Sequence, residues 1–248
     1  MSDFDRNYAR TIPADRADMS VDAGLRRFMI GVYNKMGLGL VISAAMAWLT
    51  AGPLAPLMFV QTAGGRVGLT VLGMVVAFAP LAILLFSAFA MRNASPRSSG
   101  IIYWSVVTLI GASLGALLIT YTGTSVASTF LITATAFGAL SLFGYTTKKD
   151  LTGFGTFLIM GLIGLMIAMV VNIFIQSSMM AFIISAAGVL IFAGLTAYDT
   201  QRLKMTYYSL GGDQAAMGVA TNYGALSLYL DFINLFQFLM MFLGVRRD

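Results

Sequence analysis

Long apolar runs separated by short polar joints dominate the chain. The runs fall near positions 30–50, 67–91, 101–121, 124–145, 154–175, 179–200 and 220–243. Each approaches the ~20 residues that a helix needs to cross a hydrocarbon layer of about 30 Å. The joints AGPLAP, RNASPRSSG, YTGTS, TTKKDLTG, QSS and SLGGDQ are short and turn-like. Short joints force consecutive helices to run antiparallel in one bundle. The pattern predicts an all-α integral membrane protein. It is a seven-transmembrane-helix bundle forming a single domain over 23–248, preceded by a disordered cytoplasmic tail at 1–22. Ahead of the first run, Leu25, Phe28, Met29, Val32, Tyr33 and Met36 recur at helical spacing. They predict an interfacial lead-in, with Ser20 as its cap. Pro80 predicts a kink in the second span. Gly111 and Gly115 in a GxxxG, with Gly161 and Gly164 further on, predict close helix packing.

Composition agrees with this pattern. Hydrophobic residues make up 58% of the 248 positions and charged residues 10%, against about 25% charged in a soluble domain. The absence of Cys and His excludes disulfides, thiolate chemistry, histidine metal sites and a Ser-His or Cys-His dyad in this chain. The net charge of +5 reflects topology, and no basic, aromatic-interleaved soluble segment points to nucleic acid. The start of the chain is polar and mixed in charge, unlike a signal or transit peptide.

The cations are segregated. Arg26, Arg27 and Lys35 open the first span, Arg92 and Arg97 follow the second, Lys148 and Lys149 the fourth, and Arg202 and Lys204 the sixth. The intervening joints carry Arg66 alone or no charge. The positive-inside rule then puts the N-terminus in the cytoplasm. With seven crossings, Arg246 and Arg247 fall outside. Either the tail breaks the rule or the last run does not cross fully.

All ten acids are Asp, and only Asp199 and Asp231 lie within apolar runs. An ionised Asp at a helix centre costs roughly 2.5–3.5 kcal/mol on insertion scales, so such residues are site candidates by default. Asp199 has a simple structural partner, Arg202 at i+3. Asp231 has no basic neighbour on its own helix. Ser227 at i−4 and Asn234 at i+3 share its face and form a narrow polar stripe. Asp231 sits roughly ten residues into its run, about 15 Å from the helix start. The sixth and seventh spans are joined by a short loop, so their aspartates come from the same half of the bilayer. Two carboxyls in hydrogen-bond reach cannot both ionise cheaply and share one proton. Arg92 reaches a similar level. It is either a snorkelling, topology-setting cation or a bidentate partner of a carboxylate.

Three mechanisms fit these residues. An intramembrane aspartyl protease also uses two Asp on adjacent helices, and Tyr198-Asp199 resembles half of such a pair. The other half should read Gly-x-Gly-Asp, yet Leu228, Tyr229 and Leu230 precede Asp231. A proton-coupled transporter or cation leak needs an acidic site at depth. Asp199 and Asp231, with Asn234 and Ser227 along a cation pathway, offer the oxygen ligands that calcium prefers. A non-transporting interaction partner needs no buried acid pair.

The segments GLRRFMIGVYNKMGLGL, FGALSLFGYTTKKDLTGFGTFLIMGLIGL, AYDTQRLK and ALSLYLDFINLFQFLM together resemble the Bax inhibitor-1 family, also called the transmembrane Bax inhibitor motif family. The resemblance is to its bacterial YccA-like branch and runs from about Ala23 to Gly244. It implies a non-enzymatic seven-helix bundle of the bacterial inner membrane, with the last helix near its centre. It implies a pH-sensitive calcium leak with no tightly bound cofactor. Asp199 and Asp231 match the di-aspartyl sensor, with transient calcium contact, and Arg92 in FAMRNAS matches the arginine latch. On this mechanism the shared proton closes the path and its loss at higher pH opens it, so flux falls as pH drops. The resemblance also implies a second role, binding and restraining a membrane-bound ATP-dependent protease. Eukaryotic relatives suppress cell death.

Overall fold

The computed structural model describes residues 22–61, 67–90 and 94–247. The expected tail, the expected Ser20 cap, and residues Arg66 and Arg92 lie outside these described residues. The elements run α1 (Ala23–Ala51), α2 (Ala55–Met58), β1 (Phe59–Gln61), β2 (Val67–Leu69), α3 (Val71–Ala90), α4 (Pro96–Thr120), α5 (Gly123–Thr146), α6 (Thr152–Ile175), α7 (Ser178–Ser209) and α8 (Gln214–Leu243). Six helices, α1 and α4 to α8, are long and apolar enough to cross a membrane. The helix α3 is a shorter apolar one, with Pro80 inside it. The molecule is therefore an integral membrane helical bundle.

Several boundaries differ from the expected ones. The second run was expected to be helical from 67, but Val67–Leu69 pairs antiparallel with Phe59–Gln61, Val60 facing Gly68. Valines on both sides of a Gly-containing joint favour a hairpin, and the helix starts only at Val71. The expected interfacial lead-in is part of α1. Leu25, Phe28, Met29, Val32 and Met36 are buried in the main core, so that face packs against protein. The cap of α1 is Asp22, whose Oδ1 accepts from the Gly24 and Leu25 amides at 2.9 Å. At the other end of the chain, α7 extends to Ser209 and α8 begins at Gln214. The tight joint between them uses Gly211 and Gly212 at φ 58 and φ 90, backbone that favours glycine.

The helix α8 is the centre of the bundle. It packs against α1, α4, α5 and α7. Of its apolar window, 56% is buried inside the protein, against 11% for the peripheral α6. Leu228, Tyr229 and Met240 are fully enclosed. The GxxxG of α4 lies on α1, where a Cβ on Gly111 would sit 2.5 Å from the Ser43 Cα. Gly161 meets only Ile191, and Gly164 faces open space, so close packing does not explain the latter.

The path of the last helix is settled by its end. The Thr122 amide donates to the Val245 carbonyl at 3.0 Å, and the Arg247 amide to the Thr120 carbonyl at 3.0 Å. The chain end is thus tied to the α4–α5 joint. That joint lies at the end of α5 opposite Lys148 and Lys149. The helix α8 therefore runs the full length of the bundle, and Arg246 and Arg247 sit at the end poor in cations.

At the basic end, Gln201 of α7 pins the α5–α6 joint. Its Nε2 donates to the Lys149 carbonyl at 2.7 Å and its Oε1 accepts from the Leu151 amide at 2.8 Å. Gln201→Ala strands both backbone groups. It is expected to lower stability by about 1–3 kcal/mol, read as a lower thermal midpoint in detergent.

Candidate functional site

The α7–α8 hairpin brings Asp199 and Asp231 together. Their carboxyl groups lie within hydrogen-bond reach of one another. Asp231 is only 5% exposed. It is the eighteenth residue of α8, about 26 Å from the helix start at ~1.5 Å per residue, deeper than the expected 15 Å because α8 begins earlier. Its Oδ2 atom is buried and has no donor when both acids are counted as carboxylates. Buried polar atoms without partners are rare in native structures. One proton held between the acids removes the defect, because a protonated carboxyl donates an O–H to its ionised neighbour. The pair supplies the geometry for this and the burial makes the doubly ionised form costly.

The polar stripe of α8 is distributed differently from a simple reading of spacing. Ser227 hydrogen-bonds across the helix interface, its Oγ donating to Asp199 Oδ2, instead of serving Asp231. Asn234 turns back on its own helix and donates to the Leu230 carbonyl at 2.8 Å. It does not contact the acid pair through that group. Arg202 acts on Asp199 through longer-range charge and its side chain is exposed. Among the described residues Asp199 is the charged neighbour of Asp231. The proposed latch Arg92 lies outside the described residues.

Two further polar groups carry no clear signal in the sequence. A hydroxyl chain joins α1, α5 and α7: Tyr33 to Ser141 at 2.5 Å and Ser141 to Thr200 at 3.0 Å. Thr200 is the neighbour of Asp199 in sequence and donates to the Thr196 carbonyl at 2.8 Å. Neutral hydroxyls in an apolar helix commonly bond their own backbone, so spacing does not reveal the cross-helix partners. The second group centres on Lys35, which the sequence marks only as a topology cation. Its Nζ donates to Asn222 Oδ1 and lies over the Tyr103 and Trp104 rings at 5.5 and 5.6 Å. Asn222 in turn donates to Ser99 Oγ at 2.8 Å and the Pro96 carbonyl at 2.9 Å. This cluster ties α1 and α4 to α8.

A central helix carrying a buried acid, met by a second acid from its neighbour, defines an integral membrane protein with an acid pair inside its helical bundle. The chain belongs to the Bax inhibitor-1 family: the family model described as "Inhibitor of apoptosis-promoting Bax1" matches residues 25–248. An uncharacterized protein of Caulobacter vibrioides is 64% identical, with 100% of both chains aligned. One from Rickettsia prowazekii is 43% identical over 98% of this chain and 99% of its own length. The inner membrane protein YbhL of Escherichia coli is 41% identical over 91% of this chain and 94% of its own.

Proposed function

We propose that this chain is a proton-gated cation leak of the bacterial inner membrane. Calcium is the permeant ion, α3 counts as the seventh crossing and the N-terminus is cytoplasmic. The observation that carries the proposal is the buried Asp231, with one oxygen lacking a donor, in hydrogen-bond reach of Asp199. The inner membrane location draws on the relative named as an inner membrane protein. The orientation draws on the segregation of Lys and Arg.

With one proton on the pair, an O–H···O bond holds α7 against α8 and closes the path. Loss of that proton leaves two like charges in a dry interface, and repulsion drives the helices apart. Arg92 is the proposed counter-charge in that state. A divalent cation then competes for the carboxylate oxygens.

The sign of the pH dependence follows from the acids. The closed state binds the extra proton, so flux falls as pH drops and rises as the medium becomes alkaline. The test is calcium entry into proteoliposomes holding the purified chain, followed with a trapped indicator at several pH values. Flux rising steadily with pH is expected. Flux that is absent at every pH sinks the leak. Pull-down of a membrane-bound protease would then test the restraining role, and cleavage of a transmembrane peptide would test the aspartyl protease.

A further inference from the structure

A cavity of about 1340 Å³ opens at the basic end of the bundle, separate from the acid pair, whose residues do not line it. Its walls come from α1, α5, α7 and the α5–α6 joint. Five cations line it, Arg26, Lys148, Lys149, Arg202 and Lys204, against one acid, Asp150. Asp150 is already engaged, its Oδ1 accepting from the Thr152 amide at 2.8 Å. The hydrogen bonds from Thr152 hold that carboxyl below the usual carboxylate range.

The positive-inside rule accounts for cations on an exposed joint. It does not account for Lys204, which is 7% exposed and whose ammonium has one bond among the described residues, at 3.3 Å to the Tyr145 carbonyl. An ammonium offers three donors, and a buried cation without a counter-charge is unfavourable. Low-dielectric walls also concentrate the field of the other four cations inside the cavity. The arrangement suits an anion that can accept several hydrogen bonds at once.

Below the cations the wall turns apolar, with Ile30, Phe137 and Leu142. Helices α1 and α5 both pack on α7 and α8, and they meet each other through the Tyr33–Ser141 hydrogen bond. Ile30 on the α1 wall and Leu142 on the α5 wall are both exposed. A soluble anion needs neither the apolar wall nor the exposed apolar side chains beside it, whereas a phospholipid uses both. Basic pockets between transmembrane helices are a recognised way to hold an anionic headgroup.

We propose that this cavity is a binding site for the phosphate of an anionic phospholipid. Lys204 holds the phosphate from within, the rim cations surround it, and the acyl chains leave past the exposed Ile30 and Leu142. The site does not depend on the leak mechanism.

The test titrates the full chain in neutral detergent with short-chain phosphatidylglycerol, short-chain phosphatidylcholine and glycerol phosphate, with bound ligand read by native mass spectrometry. Phosphatidylglycerol is expected to bind about tenfold or more tightly than phosphatidylcholine. Lys204→Met and the double variant Lys148→Gln with Lys149→Gln are each expected to lose roughly that preference. Arg246→Gln with Arg247→Gln removes the same charge at the opposite end and is expected to bind as wild type. Equal binding of the two lipids, or wild-type binding by the Lys148 and Lys149 variant, overturns the site. So does an equal loss in the Arg246 and Arg247 variant, which would mark a general charge effect. Glycerol phosphate binding as tightly as the lipid overturns the lipid assignment in favour of a soluble anion.

Discussion

Asp231→Asn is expected to flatten the pH response of calcium flux and hold it at the low, acid-like level throughout. The amide is close to the protonated carboxyl in size and is neutral at every pH. Its NH₂ group donates to Asp199 whether or not the medium is alkaline. The repulsion that opens the path therefore never develops. For a single proton the populations change at most about tenfold per pH unit. Wild-type flux is expected to rise by roughly that factor or more from mildly acidic to mildly alkaline medium, and the variant by less than about twofold. Asp199→Asn should act in the same direction, because the substituted amide still accepts from Ser227 and no longer repels Asp231. A pair that serves only as structural glue behaves differently. Its Asn variants lower the thermal midpoint yet leave the slope of flux against pH unchanged. Unchanged flux and slope in both variants would eliminate the sensor.

The acid pair is legible in the sequence because charge in an apolar run is rare and expensive, so Asp199 and Asp231 stand out without any structure. Their proximity follows from the short SLGGDQ joint, which makes α7 and α8 neighbours. The partners of the pair are not legible. Ser227 shares a face with Asp231 on one helix, but its hydroxyl reaches across to Asp199. Helical periodicity says which face a side chain takes and nothing about which neighbour its rotamer selects. The Tyr33–Ser141–Thr200 chain is hidden for a related reason. Its links span 108 and 59 positions, and neutral hydroxyls leave no electrostatic signature in an apolar run.

The same contrast runs through the fold. Helix-length apolar runs mark the spans, since a bilayer demands both length and internally satisfied backbone. Strand β2 is hidden inside the apolar run from 67 because Val67–Leu69 continues the hydropathy of α3. The end point of α8 was open on charge alone. Arg246 and Arg247 leave two readings open, a tail that breaks the charge rule or an incomplete last run, and backbone pairing with the α4–α5 joint carries α8 the length of the bundle. The positive-inside bias is a statistical pull on topology, so charge alone does not fix the path of a 30-residue central helix.

Gly111→Val is expected to destabilise the bundle by about 3 kcal/mol, at the upper end of overpacking effects, while Gly164→Ala is expected to cause no loss. Both glycines lie in helices and both belong to small-residue patterns, so sequence alone treats them alike. Their surroundings differ. A Cβ on Gly111 would stand 2.5 Å from the Ser43 Cα and 2.9 Å from its carbonyl oxygen. Backbone atoms of α1 have no rotamer to yield, so the two helices must separate. Separation also breaks the contacts of Ser43, which bonds the Val107 carbonyl at 3.1 Å and the Tyr229 hydroxyl at 2.6 Å. Tyr229 lies two residues before Asp231, so the strain reaches the central helix as well as the α1–α4 seam. At Gly164 a new methyl meets nothing within 4 Å, and alanine is the better helix former by up to about 1 kcal/mol. Thermal unfolding of the two variants in the same detergent checks the contrast. A Gly111→Val protein as stable as wild type would show that α1 and α4 do not cross at this point.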